Sequence, residues 1–381
     1  MGLFTILITT FAILLGLINT DSKKVSVFIL ILLYLLLAFE RSEGDYEGYL
    51  LMYAQIADDF GNALTYEPLY VAMTALFAKY GLSFDQMRWI LSIFEVLILY
   101  FTAKRFTVNT ALVLALFMIF PAPLNAELFR FFFGMCLVIY GMQYLIRGNF
   151  YMDILIFVVC VTMASLFHTS CWIFLIYLFM LIKNRKQLFL ITASIMIPCL
   201  ALASTGLFFD VLSKLPIRVF VIEKYETGSY SNVTGIIFAT LKQFMILSMA
   251  FVATGDPFKA IYKKTRPFLN SSHAPNAWME IFQSRIIDIN LVSFFLLIPM
   301  YYSASSQRLV HVVIFLNYIA LANGYLNGRK RICLFYSVST AICFLLFLLY
   351  IEGNGTIDEF KTHFTEGYLI NFFKTISNNK I

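Results

Sequence analysis

Charged residues are scarce in this chain. Only 13% of its 381 residues are charged, whereas 60% are hydrophobic. These values lie well outside the usual range of soluble domains and leave no room for a separate soluble catalytic domain. The six cysteines all fall within apolar runs and lack metal-ligand spacing, so the sequence predicts neither disulfides nor a zinc site. We expect no cofactor and no bound metal.

Signatures of soluble enzymes are also missing. The chain has no phosphate-binding Gly-rich loop, no metalloprotease histidine pair and no serine nucleophile elbow. Their absence argues against an ATP-driven transporter. The net charge of +6 comes from Lys and Arg spread over many short hinges, whereas nucleic-acid binding requires basic residues on one soluble face. We therefore expect no nucleic-acid partner.

Long apolar stretches dominate the chain instead. The clearest are residues 25–39, 89–101, 154–167, 171–182, 188–202, 233–253, 291–300, 309–322 and 332–351. Only helices and closed barrels satisfy the backbone inside a bilayer, and unbroken apolar runs exclude the alternating pattern of a barrel. A helix needs about 20 residues to cross the hydrocarbon layer. The sequence thus predicts an all-α, polytopic integral membrane protein of about twelve crossings, the first at residues 3–18.

Basic residues predict the orientation of these helices. Lys and Arg gather at residues 23–24, 104–105, 147, 183–186, 259–266 and 329–331. Short loops rich in Lys and Arg stay in the cytoplasm. We predict one membrane domain over residues 1–381, with outer loops at 40–84 and 206–232, a cytoplasmic loop at 255–284 and an amphipathic tail at 352–381. Residues 68–79 are too short for a crossing, so we predict a re-entrant or interfacial helix beginning at Glu67.

Polar residues near the membrane converge on the predicted outer side. They are Asp45, Glu67, Glu127, Arg130, His168 and Arg308. Ionisable groups at the apolar layer cost several kcal/mol unless they are paired or hydrated, so this group indicates a wet cavity. The alternative is that each is an ordinary interfacial residue.

The first outer loop carries a carboxylate among phenols. Helical spacing places Asp45, Tyr49 and Tyr53 on one face, with Tyr46 beside them. This set suits a sugar, because aromatic rings stack on its C–H face while carboxylate and phenol bind its hydroxyls. The alternative is an interfacial aromatic belt, which does not need Asp45.

Two further outer segments carry residues suited to phosphate chemistry. Glu127 and Arg130 are three apart, so on one helix they share a face and form a pair, or Arg130 binds an anion such as phosphate. His168 lies between two apolar stretches and suits a general base or a phosphate partner. A hydrogen-bonded turn residue is the alternative for His168.

Basic residues in the second half offer further contacts. Lys214 and Arg218 are four apart and face the same way on a helix, which suits a diphosphate or anionic lipid. Arg285 and Asp288 lie near a helix end that the predicted topology places on the cytoplasmic side, where they form a helix-surface pair.

A family resemblance appears when these residues are taken in order. Asp45, Tyr46, Tyr49 and Tyr53, then Glu67-Pro68-Leu69-Tyr70, then Arg130, then Ala-Ser-Leu-Phe-His-Thr-Ser at 164–170 resemble the EpsG-like polysaccharide polymerases. These are relatives of bacterial O-antigen polymerases of the Wzy type. The likeness covers residues 45–182, and Arg285 and Arg308 fit the family's general pattern of later arginines. The chain departs from it at Phe131, where the family often has glutamine.

The resemblance implies a multi-pass glycosyltransferase of the bacterial inner (cytoplasmic) membrane, similar in architecture to GT-C enzymes. Its active site would face the periplasm or exterior. The donor would be a growing O-antigen or exopolysaccharide chain on undecaprenyl diphosphate, and the acceptor a lipid-linked repeat unit. No nucleotide sugar is needed. Besides membrane lipids, the resemblance implies a chain-length regulator and a flippase as partners.

The resemblance also implies roles for these residues. Asp45 or His168 would be the general base, and Glu67 would position the acceptor or an arginine. Arg130, with Arg308 or Arg218, would stabilise the leaving diphosphate. The residues expected to bind substrate are Tyr46, Tyr49, Tyr53, Tyr70, Glu127, Lys214, Arg218, Arg285 and Arg308.

Two other functions compete with polymerisation. A flippase or secondary transporter of lipid-linked oligosaccharide needs polar residues through the depth of several helices, whereas the apolar runs here are mostly Leu, Ile, Phe and Val. A structural membrane scaffold explains the helices but gives no purpose to the Asp45 and Arg130 groupings.

Overall fold

A computed structural model describes residues 2–41, 45–58, 66–148, 151–182, 184–204, 233–255, 275–302, 304–324, 329–351 and 368–378. These residues form 16 α-helices and no strand. The helices are α1 (Gly2–Ile18), α2 (Lys23–Phe39), α3 (Asp45–Asp58), α4 (Pro68–Lys79), α5 (Phe84–Phe106), α6 (Thr110–Ile119), α7 (Ala122–Glu127), α8 (Phe129–Arg147), α9 (Tyr151–Phe167), α10 (Arg185–Ser204), α11 (Val233–Thr254), α12 (Pro275–Ser293), α13 (Leu297–Tyr302), α14 (His311–Gly324), α15 (Lys330–Ile351) and α16 (Tyr368–Asn378). Short 3₁₀ helices occupy Thr169–Leu181, Phe294–Leu296 and Ala304–Val310. The all-α prediction is confirmed for this part of the chain.

Several of these helices suit a bilayer. Three segments are long and apolar enough to cross a membrane, at Phe129–Arg147, Ile237–Thr254 and Ala277–Met300. Shorter apolar helices include Leu3–Ile18 and Tyr151–Phe167. Together they indicate a multi-pass membrane protein. The number of crossings and their orientation stay predictions.

The surface of α1 also fits a lipid environment. Its exposed side chains include Leu3, Leu7, Phe11 and Ile18, all more than half exposed. Contiguous exposed apolar side chains are rare on soluble monomers. This helix therefore presents an apolar face that is suited to contact with lipid or a partner helix.

Local sequence signals explain where the helices near the site begin. The hydroxyl of Ser83 accepts a hydrogen bond from the Gln86 backbone N–H, and the Gln86 side chain accepts one from the Ser83 N–H. This capping box starts α5 and places Asp85 in its first turn. Glu67 directly precedes α4, and Pro68 occupies the first turn, where its missing N–H costs nothing. The predicted start of this helix at Glu67 is confirmed.

The helices group into two compact units, Met1–Phe174 with Leu334–Ile381, and Leu175–Cys333. In the first unit α8 packs against both α5 and α9. Gly134 and Gly141 of α8 permit this close approach to α9. A Cβ atom at Gly134 would lie 2.9 Å from Cys171 Sγ, and one at Gly141 would lie 2.8 Å from Cys160 Cβ. Small residues bring membrane helices together in this way.

The last helix closes the first unit onto the start of the chain. Tyr368 of α16 shares a 2.7 Å hydrogen bond with Thr9 of α1. The Asn371 amide donates to the Phe39 carbonyl at 3.1 Å, and the rings of Phe372 and Phe39 lie 5.0 Å apart. Residues 352–367 of the predicted tail lie outside the described residues.

The second unit contains a closed network of buried polar side chains. Asn290 of α12 and Asn317 of α14 exchange amide hydrogen bonds of 2.8 and 3.0 Å. Their amides also donate to backbone carbonyls, Asn290 to Ile286 and Asn317 to Ile246 of α11. Both side chains are fully buried. This pair satisfies polar groups between three helices, which stabilises their packing.

Candidate active site

The candidate site in the first unit is built around Arg130, the second residue of α8. Its guanidinium Nη1 lies 2.6 Å from Glu67 Oε2, and both side chains are only 16% exposed. Leu128, which precedes α8, provides no side-chain cap for the first turn. An arginine at an uncapped helix start combines two features that attract anions.

Two tyrosine rings enclose the same guanidinium. Arg130 Cζ lies 5.4 Å from the ring centroid of Tyr49 in α3 and 5.2 Å from that of Tyr70 in α4. Both rings are buried. Cation–π contacts and the Glu67 carboxylate therefore hold Arg130 from several sides. Its Nε is buried and has no hydrogen-bond partner among the residues that the structure describes.

Glu67 also connects this arginine to the segment around His168. Its Oε1 accepts hydrogen bonds from Thr169, from the backbone N–H at 3.3 Å and from the hydroxyl at 3.4 Å. The ring of His168 lies edge-on to Phe131, with centroids 5.5 Å apart. The structure therefore brings together Tyr49, Glu67, Tyr70 and Arg130, with the His168 segment linked to them through Thr169.

His168 has a defined hydrogen-bond arrangement. Its Nδ1 accepts from the Ser170 backbone N–H at 3.4 Å and lies 2.7 Å from the Ser170 hydroxyl. The tautomer of the ring decides whether the Ser170 hydroxyl donates to Nδ1 or accepts from it. His168 therefore keeps both predicted roles, general base and phosphate partner.

A second assembly lies beside the first. Asp85 Oδ1 accepts a 2.8 Å hydrogen bond from the Tyr46 hydroxyl, and Asp85 Oδ2 lies 2.7 Å from Arg41 Nη2. The Arg41 guanidinium stands over the Tyr46 ring at 5.8 Å. Burial, followed by the Asp85 carboxylate, raises the pKa of Tyr46 to about 12. Its phenol therefore stays a protonated hydrogen-bond donor at neutral pH.

Phe84 forms the wall between the two assemblies. Its ring centroid lies 5.8 Å from that of Tyr46, 6.2 Å from Tyr49 and 6.0 Å from Tyr53. The Tyr53 hydroxyl donates to the Leu82 carbonyl. The tyrosines of α3 therefore dock this helix on the start of α5.

Comparison with known families fits this arrangement. The model of the EpsG family matches residues 3–363, which is almost the whole chain. The chain belongs to the EpsG family. EpsG proteins are implicated in exopolysaccharide biosynthesis. No curated protein and no solved structure matches the chain significantly.

Two details of this EpsG chain differ from the sequence expectations. Asp45, the first residue of α3, is exposed, and the carboxylate that meets an α3 phenol is Asp85. Glu127 ends α7 whereas Arg130 belongs to α8, so the two do not share one helix face. The carboxylate that the structure pairs with Arg130 is Glu67, 63 positions away.

The remaining predicted residues of the EpsG chain belong to the second unit or lie outside the described residues. Arg285 Nη1 lies 3.5 Å from Asp288 Oδ2, as predicted, but both side chains are largely buried. Asp288 is bound more closely by Arg185 Nε at 2.6 Å. Arg308 lies in the 3₁₀ helix Ala304–Val310. Lys214 and Arg218 lie in the part of the chain that the structure does not describe.

Sequence reasoning missed Asp85, Arg41 and Thr169. The capping box at Ser83 was a signal for Asp85, because it predicts a helix start with a carboxylate in the first turn. Arg41 follows an apolar stretch and resembles an ordinary interfacial residue. Within the described residues no cluster of three metal-ligating side chains occurs.

Proposed function

We propose that this EpsG-family protein is an O-antigen or exopolysaccharide polymerase. It joins oligosaccharide repeat units carried on undecaprenyl diphosphate at the outer face of the cytoplasmic membrane. A hydroxyl of the acceptor unit attacks the anomeric carbon of the donor glycan, and a new glycosidic bond forms. The bond between that carbon and the lipid diphosphate breaks, and the diphosphate leaves with the electron pair.

The observation that supports this proposal is the setting of Arg130. As the glycosidic bond to the lipid breaks, negative charge grows on the leaving diphosphate. A guanidinium presents a planar fork that binds two phosphoryl oxygens at once, and a partly dry site strengthens this contact. Because Glu67, Tyr49 and Tyr70 hold Arg130 in place before substrate arrives, little reorganisation is needed during the reaction.

Neighbouring groups complete the proposed diphosphate site. The Glu67 carboxylate lies against Nη1 of Arg130, and in this proposal Nη2 donates to a phosphoryl oxygen. His168, whose Nδ1 is bonded to Ser170, is the second phosphate partner. Glu67 acts as the positioning residue for both, through its contacts with Arg130 and Thr169.

The proton of the attacking hydroxyl requires a base. Asp45 and His168 are the two residues predicted for this role, and we assign it to Asp45 because His168 serves as a phosphate partner in this proposal. Asp45 is exposed at the start of α3 and adjoins Tyr46 in sequence. In this proposal Asp45 accepts the proton, and Asp45→Asn abolishes polymerisation while the protein remains folded.

The test is the length distribution of surface polysaccharide, by gel, in cells that lack the gene. The cells are complemented with wild type, Arg130→Lys or Arg130→Ala. We expect wild type to restore a ladder and both variants to leave a single repeat unit, since an ammonium cannot reproduce the fork. The rate of polymerisation should fall by about 100-fold or more.

The matched control is Arg147→Lys at the other end of α8. Arg147 forms a bidentate pair with Asp153 that an ammonium cannot fully replace, so this variant also loses a fork but outside the proposed site, and it should keep the ladder even if the protein is less stable. A full ladder from Arg130→Lys, at wild-type protein level in the membrane, would make Arg130 a structural residue and overturn the assignment.

The alternative function is a flippase or secondary transporter of lipid-linked oligosaccharide. The buried polar groups of the second unit are the observation in its favour. However, the amides of Asn290 and Asn317 bind each other and backbone carbonyls, whereas groups that line a transport path must be open to the substrate. If the deletion abolishes even the single-unit product and lipid-linked units accumulate on the cytoplasmic face, the protein moves the substrate and does not join it.

A further inference from the structure

The first unit repeats one arrangement of side chains. In both assemblies an arginine Nη lies close to a carboxylate oxygen, at 2.6 Å for Arg130 and Glu67 and 2.7 Å for Arg41 and Asp85. In both, the guanidinium also stands over a tyrosine of α3, which is Tyr49 or Tyr46. The two tyrosines are three residues apart, so they are about 4.5 Å apart along the helix axis. The two assemblies are therefore neighbours that share Phe84 as a wall.

The second assembly differs from the first in exposure. The side chains of Arg41 and Asp85 are 33% and 24% exposed, whereas those of Arg130 and Glu67 are both 16% exposed. The Nε of Arg41 is buried and has no hydrogen-bond partner among the described residues. The partial exposure of both side chains lets a ligand reach their charged ends.

A rigid support lies behind the second assembly. Arg88, one turn after Asp85 in α5, is buried, and its Nη2 donates to the Ala126 carbonyl at 2.7 Å. Its Nη1 donates to the Glu40 carbonyl, next to Arg41. Arg88 thus ties the end of α2 to the segment before α8 and fixes Arg41 against Asp85. Binding groups held by rigid elements are ready for a ligand without rearrangement.

The chemistry of the second assembly suits sugar hydroxyls. Asp85 accepts hydrogen bonds, Arg41 donates them, and the Tyr46 phenol does both beside an aromatic face. The Asp85 carboxylate and the Tyr46 phenol are hydrogen-bonded to each other and border the Arg41 guanidinium, so donors, acceptors and a ring lie together, as a sugar requires. The acceptor in the proposed reaction reacts through a sugar at the end remote from its own diphosphate.

We propose that Arg41, Tyr46 and Asp85 form the acceptor subsite and bind the hydroxyls of the terminal sugar of the incoming repeat unit. This inference rests on the proposed polymerase function. The acceptor sugar lies beside the donor diphosphate on Arg130 because the two assemblies adjoin along α3. Asp45 directly precedes Tyr46 in α3. Arg88 is a positioning residue for the subsite.

The test measures the KM of the acceptor separately from the KM of the donor. The probe is the repeat-unit oligosaccharide released from its lipid by mild acid, taken from cells lacking this gene and labelled at its reducing end. Without a diphosphate it can accept but cannot donate. Transfer from lipid-linked units to this probe is followed with the purified full-length protein in lipid nanodiscs, while each substrate is varied in turn.

Two variants of the subsite should raise the KM for the free oligosaccharide and leave the KM for the lipid-linked donor unchanged. Asp85→Asn removes a charged acceptor and should raise the acceptor KM about 10-fold or more. Tyr46→Phe keeps the ring and loses one hydroxyl, which should raise the acceptor KM about 5-fold. Arg130→Lys should instead lower kcat.

The control variant is Tyr140→Phe, which also loses one phenol hydroxyl in the first unit. Tyr140 is exposed on α8, and its hydroxyl lies 2.9 Å from the Tyr144 hydroxyl, away from Arg41 and Asp85 in sequence and outside the proposed subsite, so both KM values should stay at wild type. An unchanged acceptor KM in Tyr46→Phe and Asp85→Asn would overturn the acceptor subsite while the polymerase proposal stands. If wild type in the nanodiscs does not join lipid-linked units to each other either, the polymerase proposal itself fails.

Discussion

Tyr46 links its ionisation to the stability of the protein. The pKa of its phenol is raised from 10.0 to about 12 by burial and by Asp85. The folded state therefore holds this proton more tightly than the unfolded chain. The stabilisation is fully present below pH 10.0 and is lost as the pH rises through about 12.

This linkage predicts a pH-dependent effect of Tyr46→Phe. Wild type should melt at a higher temperature than the variant at about pH 9, and the difference should shrink as the pH rises from 10 to about 12. Thermal unfolding of the purified protein over this pH range measures it. In an Asp85→Asn background the shrinkage should be weaker, because one cause of the raised pKa is gone. An equal melting difference at every pH would contradict the linkage.

Individual residues were only partly predictable. The sequence alone indicates Arg130 and Glu67, because a charged residue beside an apolar stretch costs free energy unless it is paired or hydrated. The family resemblance gave Glu67 the role of positioning the acceptor or an arginine, but spacing paired Arg130 with Glu127, because the pair with Glu67 joins residues 63 positions apart and sequence spacing carries information only within one helix. The same limit explains why Asp45 was chosen in place of Asp85 as the carboxylate beside the phenols.

The close packing of α8 against α9 depends on the absence of a side chain at Gly134. A methyl group there would lie 2.9 Å from Cys171 Sγ and 3.1 Å from the Ala164 carbonyl oxygen. Neither neighbour is the end of a flexible chain. We expect Gly134→Ala to destabilise the protein by about 1–3 kcal/mol through overpacking.

Gly48 provides the matched comparison. It also lies within a helix, α3, but a Cβ atom there would meet nothing within 4 Å. Gly48→Ala should leave stability unchanged or raise it by about 0.5–1 kcal/mol, because alanine restricts the unfolded chain. Melting temperatures of the two variants, purified side by side, check both statements. A Gly134→Ala protein as stable as wild type would mean that α9 can move away from α8.

Helices were predicted well where apolar runs are long. The stretch at residues 332–351 became Lys330–Ile351, and the stretch at 89–101 lies inside Phe84–Phe106. Helix ends within a polar segment were harder to predict. Leu128 separates α7 from α8, and no glycine marks this boundary in the sequence. That break removed the predicted common face of Glu127 and Arg130.

The predicted topology of the molecule places α3 outside the cell and the start of α9 in the cytoplasm. Glu47 of α3 and Tyr151 of α9 are both exposed, so each accepts a cysteine without burying it. In a protein lacking its six native cysteines, a membrane-impermeant maleimide should label Glu47→Cys in intact cells or spheroplasts. Tyr151→Cys should react only after the membrane is opened.

The labelling pattern decides the orientation of the first unit. Labelling of Tyr151→Cys in intact cells, with Glu47→Cys protected, would reverse it and place the Arg130 site in the cytoplasm. Orientation follows from basic residues in the sequence, whereas the grouping of helices into Met1–Phe174 with Leu334–Ile381 could not be predicted. Contacts between helices that are far apart in the sequence produce no local sequence pattern. In a chain that is apolar throughout, nothing therefore predicts which helices pack together.

The contacts of α16 with α1 and α2 set the order in which the first unit is completed. Thr9 and Phe39 wait for their partners Tyr368, Asn371 and Phe372 until all the helices between them have been translated. The unit that carries Arg130 therefore stays unfinished until α16 has been made. A nonsense codon at Tyr368 would spare every proposed site residue and still leave α1 and α2 without the helix that packs on them.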